Sequence, residues 1–506
     1  MDAAEVRGLT RRGALAIGGL AVVAAVGGAC SSPRKESERV LSSDPAVEEA
    51  EQRRQRGAPD LRSASLTAAP TTVELGGGLP ATTWAFGAAV PGPEIRVRRG
   101  QRLRVQVENR LPTGTSLHWH GLAIRNDMDG VAGLTQSALP PGISQRYEFI
   151  VPDAGTYWYH PHVGVQLDRG LYGPLIIDDP DERTAYDEEW ILVLDDWIDG
   201  VGPTPTTPDA QLDKLRAEGM GSMSMGDTAS PTPSAPLGSD TGDVTYPYYL
   251  INGRVQSDPV SLSVRSGMRV RLRIINAGGD TAFRVGIPAT PITITHTDGL
   301  PINPVPVDSV ILGMGERIDA IVTVPQESCW VVALPEGKQG MARALLAVEP
   351  RRRAADLNAT AINALRVSAP FDTAYATAQS EISLPTRRAD VSHNLTLSGP
   401  GAGYEWTING VAYNPRRGLP VSEGQRVRLT FDNQSGMFHP MHLHGHSFQV
   451  IHLDGTPGPR KDTVLVPPRA RVTVEFDADN PGQWLSHCHN VYHGEAGMMT
   501  VISYVK

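Results

Sequence analysis

The sequence predicts an all-β protein made of three consecutive, homologous β-domains. Three observations carry this prediction. Two sequence markers recur three times, always in the same order. Pro and Gly are plentiful, at 41 and 52 of 506 residues, and Pro is poorly tolerated inside helices. Helical periodicity is scarce, with one short helix expected within Pro208 to Met220.

The first marker reads GQRLRVQVEN at 100–109, GMRVRLRIIN at 267–276 and GQRVRLTFDN at 424–433. Each is a Gly turn, an alternating apolar/polar run and a closing Asn, the pattern of a half-buried strand leaving a turn. The second marker occupies 139–162, 312–334 and 466–489 and reads as turn, strand, turn, strand. The domains are placed at 66–180, 186–350 and 380–506. Residues 200–245, rich in Pro, Thr, Ser, Gly and Asp, read as a flexible insertion. Residues 351–379, opening with three arginines, read as a linker.

At the N-terminus, Thr10-Arg11-Arg12 precedes an apolar, small-residue run from Gly13 to Ala29. The run is short for a transmembrane span, and the Arg pair resembles a twin-arginine export signal. Gly28-Ala29-Cys30 resembles a lipoprotein cleavage site with Cys30 lipidated, although Gly27 stands where a larger aliphatic residue is usual. A plain cleaved signal with an incidental cysteine is the alternative. Either way the mature protein is expected in the cell envelope or periplasm, with residues 31–65 as a tether and a lipid at Cys30 as its one membrane attachment. The net charge of −9 gives no footprint for nucleic acid. Three cysteines, Cys30, Cys329 and Cys488, make no disulfide framework. Cys329, beside Trp330 and Val331, reads as a buried, inert thiol.

The repeats locate the chemistry. After the first marker, copy one carries His118-Trp119-His120-Gly121 and copy three carries His439-Pro440-Met441-His442-Leu443-His444-Gly445, whereas copy two has Phe283-Arg284-Val285-Gly286. At the end of the second marker, copy one has His160-Pro161-His162, copy three His487-Cys488-His489, and copy two Val331-Val332-Ala333. Residues i and i+2 of a strand share a face, so each His-x-His pair can present two imidazoles to one site. Cys488 then faces away from His487 and His489. Cys with His and a distant Met is the ligand set of a blue-copper centre. Pro161 stands where Cys488 stands, so that centre belongs to the third domain: His439, Cys488 and His493, with Met498 as the long axial ligand. The eight paired histidines suit a cluster shared between the first and third domains.

These four motifs, in this order across 66–506, resemble those of the multicopper oxidases, the family of laccase, ascorbate oxidase and the bacterial copper-tolerance oxidases. The resemblance implies three cupredoxin-like Greek-key β-sandwich domains and four copper ions. His118 and His442 would hold the type 2 copper. His120, His160 and His489 would hold one type 3 copper, and His162, His444 and His487 the other. It further implies one-electron oxidation of a reductant at type 1 copper, coupled to four-electron reduction of O2 to water. Asp129, following the His-Trp-His-Gly motif, is the expected proton donor, with Glu495 as a second candidate. Met437 is a candidate Cu(I) site, and Met220, Met223 and Met225 could gather Cu(I), because thioethers suit that ion. Cu(I), phenols and Fe(II) are the expected reductants, copper detoxification the expected role, and a monomer the expected state. His296, His393, His446 and His452 are left without a copper role, with His446 just past the cluster. A laccase-type phenol oxidase and a metal-free structural multi-cupredoxin protein are the rival readings.

Overall fold

The computed structural model of the protein describes residues 38–55, 60–202, 204–219, 231–350 and 357–506. Arg11, Arg12, Cys30, Met220, Met223 and Met225 lie outside the described residues. Six sheets form among the described residues, two in each of three successive segments.

The first marker forms the same strand three times. Arg102–Asn109 pairs in parallel with Leu61–Glu74 and antiparallel with Ser144–Ile150. Arg269–Asn276 lies likewise between Glu188–Trp197 and Arg317–Thr323, and Arg426–Asn433 between Val391–Ser398 and Arg471–Asp477. Alternating apolar residues such as Leu103, Val105 and Val107 point into the sandwich and are buried. The closing Asn has the same task in each copy. Asn109, Asn276 and Asn433 each accept a hydrogen bond from the backbone N–H two residues on. Each also donates Nδ2–H to one nearby and one distant carbonyl, Thr113 and Leu139, Thr281 and Leu312, and Met437 and Val466, with Pro467 O also within reach of Asn433. Such a side chain turns the chain and satisfies buried carbonyls at once.

The second marker ends in Gly155–His160, Cys329–Pro335 and Gln483–Cys488, each antiparallel to the strand that carries the other motif: His118–His120, Phe283–Gly286 and His439–Leu443. Pairing sets His118 opposite His160 and His442 opposite His487. Each histidine motif of a domain therefore meets the other across one ladder.

Helices are few: α1 Pro45–Arg54, α2 Pro208–Glu218, α3 Ala359–Val367 and α4 Val491–Glu495. The expected short helix is α2, capped by Thr207, whose side chain accepts from Ala210 N–H. None of the described helices is long and apolar enough to cross a membrane.

Three segments read from composition carry order in their described parts. Of the tether at 31–65, residues 38–55 and 60–65 are described. Helix α1 starts at the Asp44 cap with Pro45 behind it, buries Val47 and Ala50, and is followed by a strand from Leu61. The 351–379 linker contains α3 and the strand Phe371–Asp372, which adds to Ser309–Leu312 of the middle domain. Buried Arg284 holds this segment by donating to the carbonyls of Leu365 (3.2 Å) and Ser368 (2.7 Å). The insertion is ordered over 231–245: Asp280 accepts from the N–H groups of Asp243 and Val244, and Leu237 is buried beside Phe438. Polar composition concealed these contacts because their partners lie far away in sequence.

Candidate metal centre

Two groups of ligand-type side chains lie on either side of Cys488, one within the third domain and one between it and the first. On one side, His439 Nδ1 and His493 Nδ1 lie 3.1 Å apart, and each is 3.6 Å from Cys488 Sγ. Their outer nitrogens are held: His439 Nε2 by the Ser435 hydroxyl at 2.8 Å, His493 Nε2 by Asp243 at 2.8 Å. Helix α4 starts at Asn490, whose side chain accepts from the N–H groups of Tyr492 and His493, and this turn aims His493 at the sulfur. Met498 is buried, and its N–H donates to His493 O while its carbonyl accepts from Cys488 N–H. Trp406 stacks on the His493 ring, 4.0 Å between centroids. Burial disfavours charge on His493, yet Asp243 and the Cys488 sulfur push it up to about 10.

On the other side stand the eight paired histidines. His162 Nε2 and His444 Nε2 approach His487 Nε2 to 3.4 and 3.1 Å. His160 Nε2 lies 3.4 Å from His120 Nδ1, and the His489 ring is 4.9 Å from His120 and 5.3 Å from His160. His118, His442 and His444 can share one ion. The outward nitrogens are fixed by hydrogen bonds: His118 Nδ1 to Asp129 O, His160 Nδ1 to Pro161 O, His442 Nδ1 to Asp462 O and His487 Nδ1 to Cys488 O. The Asp129 carboxylate lies 3.2 Å from Nδ1 of both His444 and His118.

The donor set fits copper. His118 Nε2, His442 Nε2 and both ring nitrogens of His489 are buried without a hydrogen-bond partner. Orphaned buried polar atoms are costly, and a metal would satisfy His118 Nε2, His442 Nε2 and one nitrogen of His489. Burial also holds His120, His160, His162, His439, His442, His444, His487 and His489 below the ordinary imidazole range, which favours the neutral form that metal binding requires.

Glu495 lines a cavity of about 30 Å³ together with His160, His162, His487 and His489, room for one water-sized molecule. Burial raises its carboxyl to about 7. Met437 is 2% exposed and packs in the core. His446 donates to, or accepts from, the Tyr504 hydroxyl at 2.7 Å and lies outside both groups. His296 pairs with Thr295, His393 with Pro420 O and His452 with Ala374 O. Cys329 is buried in its strand, its thiol raised to about 11 by burial.

Several residues here carried no local signal in the sequence: Asp243, Ser435, Trp406 and Asp462. An alternating pattern reveals which face a residue is on, but not which distant ring it will meet.

Comparison with known proteins agrees along the whole body. Multicopper oxidase family models match residues 67–182, 188–351 and 387–505. The chain is 43% identical to multicopper oxidase MmcO of Mycobacterium tuberculosis, covering 100% of this chain and 98% of that protein. It is 28% identical to a copper resistance protein A homolog of Pseudomonas syringae pv. tomato, covering 87% and 92%. The crystal structure of a multi-copper oxidase from Pseudomonas thermotolerans superposes with a TM-score of 0.67 at 28% identity, covering 88% of this chain and 100% of that one. Three matched domains, one full-length relative and a donor set made for copper lead to one conclusion: the chain belongs to the multicopper oxidases, oxidoreductases that use one type 1, one type 2 and two type 3 copper ions.

Proposed function

We propose that the protein oxidises small reductants one electron at a time, Cu(I) foremost, while reducing O2 to water, and that it serves copper detoxification outside the cytoplasmic membrane. The observation that carries this reading is Cys488. Its sulfur faces His439 and His493, while its neighbours His487 and His489 face the histidine cluster. Reductant and O2 are thereby kept apart and joined by one residue's bonds. In this reading His439, Cys488, His493 and Met498 hold type 1 copper, and His118 with His442 the type 2 copper. His120, His160 and His489 hold one type 3 copper; His162, His444 and His487 hold the other. When bound, the four coppers supply the one-electron steps.

The chain's own residues supply position and protons. Asp129 orients His444 and stands ready as a proton donor at its carboxylate oxygens. Glu495 brings a proton to the small cavity against His160 and His487. Asp243, whose oxygen also accepts from the Tyr404 hydroxyl, covers the outer edge of His493, which is fully buried. A carboxylate at that edge attracts a cation, and a covered ring keeps bulky phenols at a distance; both favour Cu(I) over a general laccase activity. Fe(II) shares the first advantage. Met437 and the 220–225 methionines would deliver Cu(I) through their thioethers, and the N-terminal pattern ending in Cys30 would place the enzyme in the cell envelope.

Oxygen uptake by copper-loaded protein, measured with Cu(I) and with a phenol, tests the reading. Asp243→Asn and Met437→Ala should each lower Cu(I) turnover about 10-fold or more, the scale of support residues at metal sites, while sparing phenol turnover. Unchanged Cu(I) turnover in both variants would overturn the substrate reading.

A further inference from the structure

We propose that Arg317 is the middle domain's contribution to the copper cluster: it positions Asp462, and through Asp462 and Thr463 it fixes the rings of His120 and His442. The proposal rests on the reading that these two histidines are copper ligands. The middle domain carries no ligand of its own, yet its turn at 313–317 runs against the cluster. Gly315, at φ +86°, leaves no room for a side chain: a Cβ there would lie 2.9 Å from His489 Cδ2 and 3.0 Å from His120 Cε1.

Two residues on, Arg317 is fully buried and uses all five of its N–H donors. Nε donates to Thr156 O of the first domain at 3.1 Å. Nη1 donates to Gly315 O at 3.1 Å and to Asp462 Oδ1 at 2.7 Å, and Nη2 to Asp298 O at 3.1 Å and to Asp462 Oδ2 at 2.7 Å. One guanidinium thus touches all three domains and clamps a third-domain carboxylate through two parallel bonds. A buried ion pair is a poor way to gain stability, because desolvation offsets most of the attraction. Its value here is orientation.

The clamped carboxylate faces the cluster. Asp462 Oδ1 lies 3.1 Å from His120 Nε2 and 3.3 Å from His442 Nδ1. The Thr463 hydroxyl lies 3.2 and 3.1 Å from the same two nitrogens. The two rings, one from each outer domain, stack with centroids 3.8 Å apart and planes at 12°. They use opposite nitrogens. His120 gives Nε2 to Asp462 and turns Nδ1 inward, whereas His442 gives Nδ1 to Asp462 and turns Nε2 inward. A partner that accepts from one nitrogen fixes which nitrogen is left for a metal. Gly121, at the end of His-Trp-His-Gly, completes the arrangement: a Cβ there would lie 2.5 Å from Arg317 Nη2 and 2.6 Å from Asp462 Oδ2.

The test compares full-length, copper-loaded wild type with Arg317→Gln, Arg317→Lys, Asp462→Asn and the Gln/Asn double variant. Readouts are copper per chain, the blue absorption of type 1 copper, the electron paramagnetic resonance signal of type 2 copper, and copper retention against a chelator. Expected are an intact blue band and cluster copper held about 10–100-fold more weakly. Lys, a point charge without the paired donors, should fall between wild type and Gln. The double variant should be no worse than the weaker single. Wild-type type 2 signal and retention in both Arg317→Gln and Asp462→Asn would overturn the proposal, as would equal loss of type 1 and cluster copper. Should Arg317→Gln not fold, Asp462→Asn decides on the same criteria. A separate His442→Ala variant that kept the type 2 signal would refute the ligand reading instead, leaving the effect of Arg317 to be read from the other variants.

Discussion

Gly121 sits with φ at +90° beside the Arg317–Asp462 pair. Replacing it by Ala adds left-handed strain of about 1–3 kcal/mol and pushes on both charges. Gly121→Ala should therefore lower stability by at least that much in denaturant melts and weaken cluster copper, whereas Ala at Gly133, where a Cβ meets nothing within 4 Å, should bring only the backbone strain. Cys488→Ser should abolish the blue absorption and leave cluster copper in place; a surviving blue band would refute the type 1 assignment. At this scale the sequence was most readable where ligands repeat at i and i+2 beside a strand marker. It was silent on Asp243, which meets His493 from a different domain, because no local pattern announces a contact across 250 residues of chain.

Strands were legible because alternation and turns are local, and so was α2. The order in the described parts of the tether, the insertion and the linker was not, since it comes from partners elsewhere. Helix α1 shows why: Glu51 accepts from Ile150 N–H, and Arg54 donates to Ala123 O. Both partners lie in the first domain. Asp44→Ala removes the cap and should cost about 1 kcal/mol, read as a shift in the denaturant midpoint. The strand Arg317–Thr323 supplies a stronger case. Burial alone would raise the Asp319 carboxyl, but Arg271 (2.6 Å) and Arg273 (3.2 Å) overcome it and hold it well below the usual carboxylate range. Thr156 of the first domain donates to the same carboxylate. Its folded pKa is depressed, so this contribution is complete above the unfolded value near 4 and fades as pH falls below it. Asp319→Ala leaves two buried cations short of a partner and should cost about 3–5 kcal/mol at neutral pH. The loss should shrink in acid, which urea melts across pH would show.

Across the whole molecule, the histidine cluster lies between domains far apart in sequence. His118, His120, His160 and His162 come from the first domain and His442, His444, His487 and His489 from the third. A ligand that binds only the folded state stabilises it by mass action, about 2.7 kcal/mol at a free concentration one hundred times its Kd. Copper held by rings from both domains, as proposed above, would therefore stabilise their docking as well as each fold. Without it, His118 Nε2, His442 Nε2 and one nitrogen of His489 are buried without a partner, and each such atom costs about 1–3 kcal/mol. The domain cores do not depend on copper in this way, since each has its own pair of sheets. Removing copper with a chelator should accordingly lower the melting temperature and broaden a single calorimetric transition into separate ones. Reloading should restore both. In Cys488→Ser, which keeps the cluster, most of the copper-dependent stabilisation should remain; in His444→Ala it should be largely lost although the blue centre persists. Equal losses in the two variants would mean that the stabilisation resides in the third domain alone and not in the interface.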